Sequence, residues 1–271
     1  MKLYYIILFL TFIVSHNSYS SEKRFKVHTL AFYNLENLFD TINDTSKRDE
    51  ASPIMEMKYN RSDVYNKKIK NLSKVISGIG FEETKTLPTI VGLCEVENKN
   101  VVEDLINSDL LKNANYGISH FDSPDERGID VALIYRKKMF KILNENSAYL
   151  ELKYSSGKIN YTRDQLVVEG VLENEKIYII VNHWPSRSGG ELGSRPYRNK
   201  AAELNMFIID SIQSINKNAK IITMGDFNDD PTNESIKKIL GAKDSRNNLK
   251  NSDLYNPWEN LFKSGVGTLV Y

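Results

Sequence analysis

Ile221-Ile222-Thr223-Met224-Gly225-Asp226-Phe227-Asn228-Asp229 is an apolar run that ends on glycine and then presents aspartate, phenylalanine and asparagine in succession. A short buried strand of this kind delivers polar side chains to a sheet edge, where they can meet a ligand. Alone, the ending is ordinary, because Asp and Asn are common turn formers. Two more apolar runs end the same way, at Glu95 in Ile90-Val91-Gly92-Leu93-Cys94-Glu95 and at His183 in Ile179-Ile180-Val181-Asn182-His183. Three strands thus unload carboxylate, amide and imidazole at their C-terminal ends.

Outward from these runs, the pattern mixes strands and helices. Phe25 to Asn34 reads as a first strand, and residues 41–61, polar and broken by Pro53, as a long loop. Tyr65, Ile69, Leu72, Ile76 and Ile79 recur at spacings of four and three, which predicts an amphipathic helix from about Ser62 to Gly80. Asn98 or Asn100 can cap a helix carrying Val102, Leu105 and Ile106. Strands are expected at 116–121, 129–135, 140–152 with breaks, 165–172 and 177–183. A helix follows at about 197–215, with Ala201, Leu204, Ile208, Ile212 and Ile215 on one stripe, and then a short one near 234–240. Strands separated by helices, with several strands in direct succession, imply mixed sheets with helices outside them in one domain.

The 271 residues are enough to bury a large core without covalent staples. A net charge of +1 lacks the basic excess of many nucleic-acid binders, so any nucleic acid must be held by a local patch. Cys94 is the only cysteine, which excludes an intramolecular disulfide, and its place in an apolar strand is that of a small buried hydrophobe. Residues 1–20 read as a secretory signal: Lys2, the run Leu3 to Val14 interrupted only by Thr11, then small residues at Ser18 and Ser20. The run is short of the roughly 20 residues a membrane span needs. Export without a stable membrane anchor is therefore expected, with an uncleaved anchor as the alternative. The remaining chain, 21–271, is expected to be one domain.

A hard divalent cation takes oxygen ligands, and the strand ends offer carboxylates and amides rather than clustered Cys or His, which disfavours zinc. Ser186 and Arg187, with Gly189, Gly190, Arg195 and Arg198, read as a loop whose arginines suit phosphodiester contacts or form a solvated basic surface. The pairs Arg127/Asp130 and Arg163/Asp164 could reach a cleft or be exposed ion pairs of small energetic effect.

Asn34 and Glu36 in Phe32-Tyr33-Asn34-Leu35-Glu36-Asn37, Glu95, the His-Trp-Pro-Ser segment at 183–186 and Gly-Asp-Phe-Asn at 225–228 together resemble, in order, the endonuclease/exonuclease/phosphatase family, whose founding members are the DNase I-like nucleases. The resemblance implies an α/β (α+β) four-layer sandwich, two stacked mixed β-sheets flanked by helices, with the active site at one end. It assigns Glu95 to a magnesium ion, with manganese or calcium as alternatives. Asn34 would support the metal or contact phosphate, and Glu36 would be a second oxygen ligand. His183 would act on the phosphate as an imidazolium, Asp226 would orient or activate water, and Asn228 would hold a phosphate oxygen. Ser186, Arg187 and Arg163 are the expected substrate contacts, while Trp184 and Phe227 pack. The family also carries an Asp-His pair on a late strand, and no histidine follows His183. Val266-Gly267-Thr268-Leu269-Val270-Tyr271 reads as a strand stopping mid-element, so a domain lacking its last strand or strands is expected. The implied function is an exported, monomeric, metal-dependent phosphodiesterase, an endonuclease acting on DNA or RNA, with no protein partner evident. The alternatives are a hydrolase of phospholipid headgroups or inositol phosphates, and a catalytically dead fragment.

Overall fold

The computed structural model describes residues 25–267. The first half of the chain builds a four-stranded sheet from β1 (Leu30–Leu38), β2 (Ile90–Val96), β3 (Tyr116–His120) and β4 (Asp130–Arg136), in the order β1-β2-β4-β3. The second half builds another from β5 (Phe140–Ala148), β6 (Gln165–Leu172), β7 (Glu175–His183) and β8 (Lys220–Asp226), in the order β5-β6-β7-β8. Both sheets are mixed. The pairs β1/β2 and β7/β8 are parallel and the remaining neighbours antiparallel.

The sheets stack face to face. Ile90, Cys94, Val131 and Leu133 of one pack with Phe140, Leu166, Val168, Ile179 and Val181 of the other. The alternate residues Val91 and Leu93 point the other way, into a second core. That core is closed by α1 (Arg61–Gly78), through Tyr65, Ile69, Leu72 and Ile76, and by α3 (Lys99–Ile106), through Val101, Val102 and Leu105. Burial on both faces is why β2 reads as a continuous apolar run rather than an alternating one. On the far side, α4 (Glu191–Ile215) sets Ile208 and Ile209 against Val167 and Ile180. A Cβ on Gly92 would lie 2.8 Å from the Met224 sulfur and 3.3 Å from Val181, so glycine lets the sheets approach closely beneath the strand ends.

Several element bounds differ from the sequence expectation. Phe25 and Val27 are 86% and 68% exposed, and pairing with β2 begins only at Leu30, so the first apolar letters belong to no strand. Beyond Asn34, β1 continues through an irregularity to Leu38. The helix expected to reach Gly80 breaks earlier, because Gly80 adopts a left-handed φ of 65° and starts the short α2 (Phe81–Thr84). Asn98 rather than Asn100 caps α3, accepting the Val101 amide at 3.1 Å. The segment expected as a loop around Arg195 and Arg198 is the start of α4, which carries Pro196 within it. The short helix near 234–240 is π-helical over Ser235–Ile239, and α5 (Trp258–Lys263) follows. Residues 1–20 and positions 268–271 of the expected terminal strand lie outside the described residues. No described helix is long and apolar enough to cross a membrane.

Candidate active site

The C-terminal ends of both parallel pairs meet at one rim of the sandwich. On β2, Cys94 pairs with Val131 and Val96 with Asp130, so Glu95 is the extra residue of a β-bulge, at a φ of 58°. A corresponding shift in β1 follows Asn34 and places Glu36 and Asn37 at φ of 53° and 60°. Left-handed backbone at three non-glycine residues costs energy, and here it re-aims side chains out of the strand alternation. The turn is held by Lys68 of α1, whose ammonium donates to the carbonyls of Glu36 and Asn37. Burial lowers the Lys68 pKa, against the opposing pull of Glu36 and Glu95.

One amide nitrogen joins the sheets. Asn34 Nδ2 donates to Glu95 Oε1 at 2.9 Å and to Asp226 Oδ2 at 3.0 Å. The amide is itself fixed by Glu36 N, which donates to Asn34 Oδ1 at 2.7 Å. Each carboxylate has a backbone donor on its other oxygen: Asn37 N to Glu95 Oε2 at 2.8 Å, and Asn228 N to Asp226 Oδ1 at 3.0 Å. In register with Asp226 on the neighbouring strand, His183 sets Nε2 3.8 Å from Glu95 Oε1. Asn34, Glu95, His183 and Asp226 therefore converge, and Asn228 adjoins them. Glu36 does not: its side chain is exposed along a neighbouring groove.

The surroundings of His183 oppose the imidazolium expected there. His183 is buried, and its pKa is held well below the usual value, by burial first and then by the guanidinium charges of Arg163 and Arg127. Both effects disfavour the charged form of the ring. Its Nδ1 has no hydrogen-bond partner among the described residues.

The basic residues also differ from expectation. Arg163 is 6% exposed and does not pair with Asp164; it meets Asp125 at 3.3 Å and donates to the Trp184 carbonyl at 2.7 Å. That carbonyl also takes the Asn228 amide at 2.9 Å. Arg127 binds Asp125 too, whereas Asp130 accepts from Ser123 and meets His120. Arg198 is fully buried against Asp229 at 2.5 Å, and Arg195 is clamped to Glu191, one turn back on α4. The three-arginine phosphate loop is thus not assembled. Arg187, which donates to Asn228 O at 2.9 Å and pairs with Asp230 at 3.1 Å, stays beside the site with the exposed Ser186.

A buried polar network behind the site was missed from the sequence. Asn182 Oδ1 accepts the Trp184 indole N–H at 3.0 Å and the Asn205 amide at 2.8 Å. Asn205 also donates to Gln165, which donates to Ala201 O, tying β6 and β7 to α4. Its one signal is Asn205 standing on the apolar stripe of α4, four residues after Ala201. Trp184 is 1% exposed and packs edge-on against Phe227, with ring centroids 4.7 Å apart, as expected of two anchoring aromatics.

The donor set fits an oxygen-preferring cation. Glu95 and Asp226 present carboxylate oxygens around one amide, a concentration of negative charge that a cation would relieve. Cys94, His183 and Asp226 also bring ligand atoms within 4.8 Å of one another. Burial, and then the charges of Asp226 and Glu95, push the Cys94 thiol well up.

The sequence matches the Endonuclease/Exonuclease/phosphatase family over residues 29–271. The chain belongs to that family. Membership supports a phosphoric ester hydrolase. Among solved structures, the chain is similar to an endonuclease/exonuclease/phosphatase family protein from Bacteroides thetaiotaomicron, with 16% identity, TM-score 0.52, and 79% of this chain and 66% of that chain covered. It is similar to a functionally unknown conserved protein from Enterococcus faecalis V583, with 16% identity, TM-score 0.50, and coverage of 79% and 71%. It also resembles a D. rerio TDP2 humanized by 14 mutations, with 15% identity, TM-score 0.48 and coverage of 78% and 66%, so it spans about two thirds of that chain. At these identities the likeness concerns the fold of two mixed sheets flanked by helices. No curated protein matches the sequence.

Proposed function

We propose that the protein is a magnesium-dependent phosphodiesterase whose substrate is nucleic acid, cut endonucleolytically. The observation that carries this reading is the convergence of Asn34, Glu95, His183 and Asp226 from two separate sheets onto one amide-bridged cluster. A magnesium ion bound by Glu95, with Asp226 adjoining, would supply neutralisation of charge on the phosphoryl and leaving oxygens. Asn34 orients both carboxylates. His183, neutral and with one N–H, donates a hydrogen bond to a phosphoryl oxygen, which needs no titration at working pH. Asp226 accepts from the attacking water and orients it. Asp229 is excluded from that task by its 1% side-chain exposure and its bond to Arg198.

A pocket of about 340 Å³ adjoins the cluster, lined by Asn34, Glu36, Tyr33, Lys67, Lys68 and Asn71, and the exposed Lys67 beside it suits a phosphate of the substrate backbone. Export, as the N-terminal segment suggests, belongs to the same proposal.

The test is nicking of supercoiled plasmid in magnesium by the wild type and by Glu95→Ala. The wild type is expected to nick at least 100-fold faster. Equal rates, with wild-type release of phosphate from small esters, would shift the assignment to another phosphate-ester hydrolase. Failure on both substrates would leave a metal-binding or nucleic-acid-binding protein without turnover.

A further inference from the structure

Beneath the Asn34 cluster lies the only cysteine of the chain. Cys94 is fully buried in the core between the sheets, one residue before Glu95. Its thiol, the His183 imidazole and the Asp226 carboxylate come from β2, β7 and β8, and their ligand atoms all lie within 4.8 Å of one another. Three atoms so spaced share a centre no more than about 2.8 Å from each, and zinc bonds to Cys, His and Asp run from about 2.0 to 2.3 Å, so shifts of less than about 1 Å would close the shell.

A second observation marks the same place. His183 is 6% exposed, and its Nδ1 is buried with no hydrogen-bond partner among the described residues. Native structures rarely keep such an atom without an ion or ordered water beside it. Burial and the charges of Arg163 and Arg127 also disfavour the protonated ring, and the unprotonated ring is the one a metal takes. The sequence disfavours zinc because Cys94 and His183 stand far apart in it; folding joins them.

We propose that Cys94, His183 and Asp226 form an inhibitory site for a thiophilic cation such as zinc, with a fourth position left to water. Thiolate and carboxylate together offset the two charges of the ion, so the complex is neutral, which suits a buried place. As the S–Zn bond forms, the thiol proton leaves to solvent. That proton is held tightly, by burial first and then by the charges of Asp226 and Glu95, so magnesium, which prefers oxygen, does not displace it. The inhibition, unlike the binding, rests on the magnesium reading above: zinc would take Asp226 and His183 away from the reacting phosphate.

Cobalt(II), a coloured stand-in for zinc, tests the site without reference to activity. Titrated into the wild type with magnesium in excess, it should bind one equivalent and give the near-ultraviolet thiolate-to-cobalt charge-transfer band. Cys94→Ala should lose the band and bind zinc at least about 100-fold more weakly by calorimetry, the upper end of what losing a merely supporting contact costs. No cobalt binding, binding without the band, or unchanged zinc affinity in Cys94→Ala overturns the site. Should Cys94→Ala fail to fold, the wild-type spectrum decides alone. One equivalent of zinc should also abolish plasmid nicking by the wild type. Nicking that persists with the site filled overturns the inhibition, whereas a protein that never nicks sinks the phosphodiesterase reading and leaves the spectrum to judge the site.

Discussion

Removing the amide that bridges the sheets, with Asn34→Ala, has a calculable effect. Two hydrogen bonds to carboxylates disappear, at 2.9 and 3.0 Å. Bonds to charged groups contribute about 1.5–3 kcal/mol each, and partial exposure of the site puts them at the lower end. The same loss leaves Glu95 Oε1 and Asp226 Oδ2 facing each other. Both lie within 3.0 Å of one nitrogen, so they are about 6 Å apart at most, where two charges repel by about 3 kcal/mol at an effective dielectric of 20. The two figures describe one effect from two sides. Asn34→Ala should therefore cost about 2–3 kcal/mol in urea unfolding with chelator present. If Glu95 holds the proposed magnesium ion, saturating magnesium should restore most of that, since its charge would offset the repulsion between the two carboxylates. In the chelated protein, Glu95→Gln should be less harmful, or even stabilising, on the Asn34→Ala background, since it removes one of the repelling charges. A cost below about 0.5 kcal/mol, additive with Glu95→Gln, would show that the two sheets are not coupled through this residue.

Breaking the buried pair with Asp125→Asn strands the Arg163 charge and should cost about 3–5 kcal/mol by chemical denaturation; a cost under 1 kcal/mol would mean that solvent reaches the pair. Glu97 is pushed up to about 7, by burial first and then by Asp40, Asp49 and Asp44. The folded protein thus holds this proton more tightly than the unfolded chain, and without divalent cations stability should fall as pH rises from about 4.5 to 7, by up to roughly 3 kcal/mol. Glu97→Gln should flatten that slope in pH-dependent melting curves, and an unaltered slope would place the titration elsewhere. A Cβ at Gly225 would fall on the carbonyl oxygen of Asn182 in the neighbouring strand, so Gly225→Ala should yield little soluble protein, or a melting point lower by 10 °C or more; a normal melting curve would refute so tight a strand pair.

The strand ends were legible because burial on both faces leaves long apolar runs, and the polar residue that stops each run stands out. Glu95, His183 and Asp226 were found that way. Asn34 was visible only through the order of motifs, since nothing local marks Leu35 and Glu36 as a bulge. Arg163 and Asp125 were not legible as partners: 38 positions separate them, and each has a charged neighbour in sequence that draws the eye instead. Arg195 and Arg198 looked like a loop because Gly189, Gly190 and Pro196 disguise the first turns of a helix. Cys94, His183 and Asp226 stand on three different strands, and only folding brings them together.

The chain finishes one sheet before starting the next, crossing between them at residues 137–139. Asn34 and Glu95 lie before that crossing, and His183, Asp226 and Asn228 after it. Severing the backbone there would divide the molecule into two pieces, each with a complete set of strands and only half of the cluster. Recovery of the proposed phosphodiester cleavage on mixing such pieces would then measure their reassociation directly, making the protein a split reporter of its own assembly.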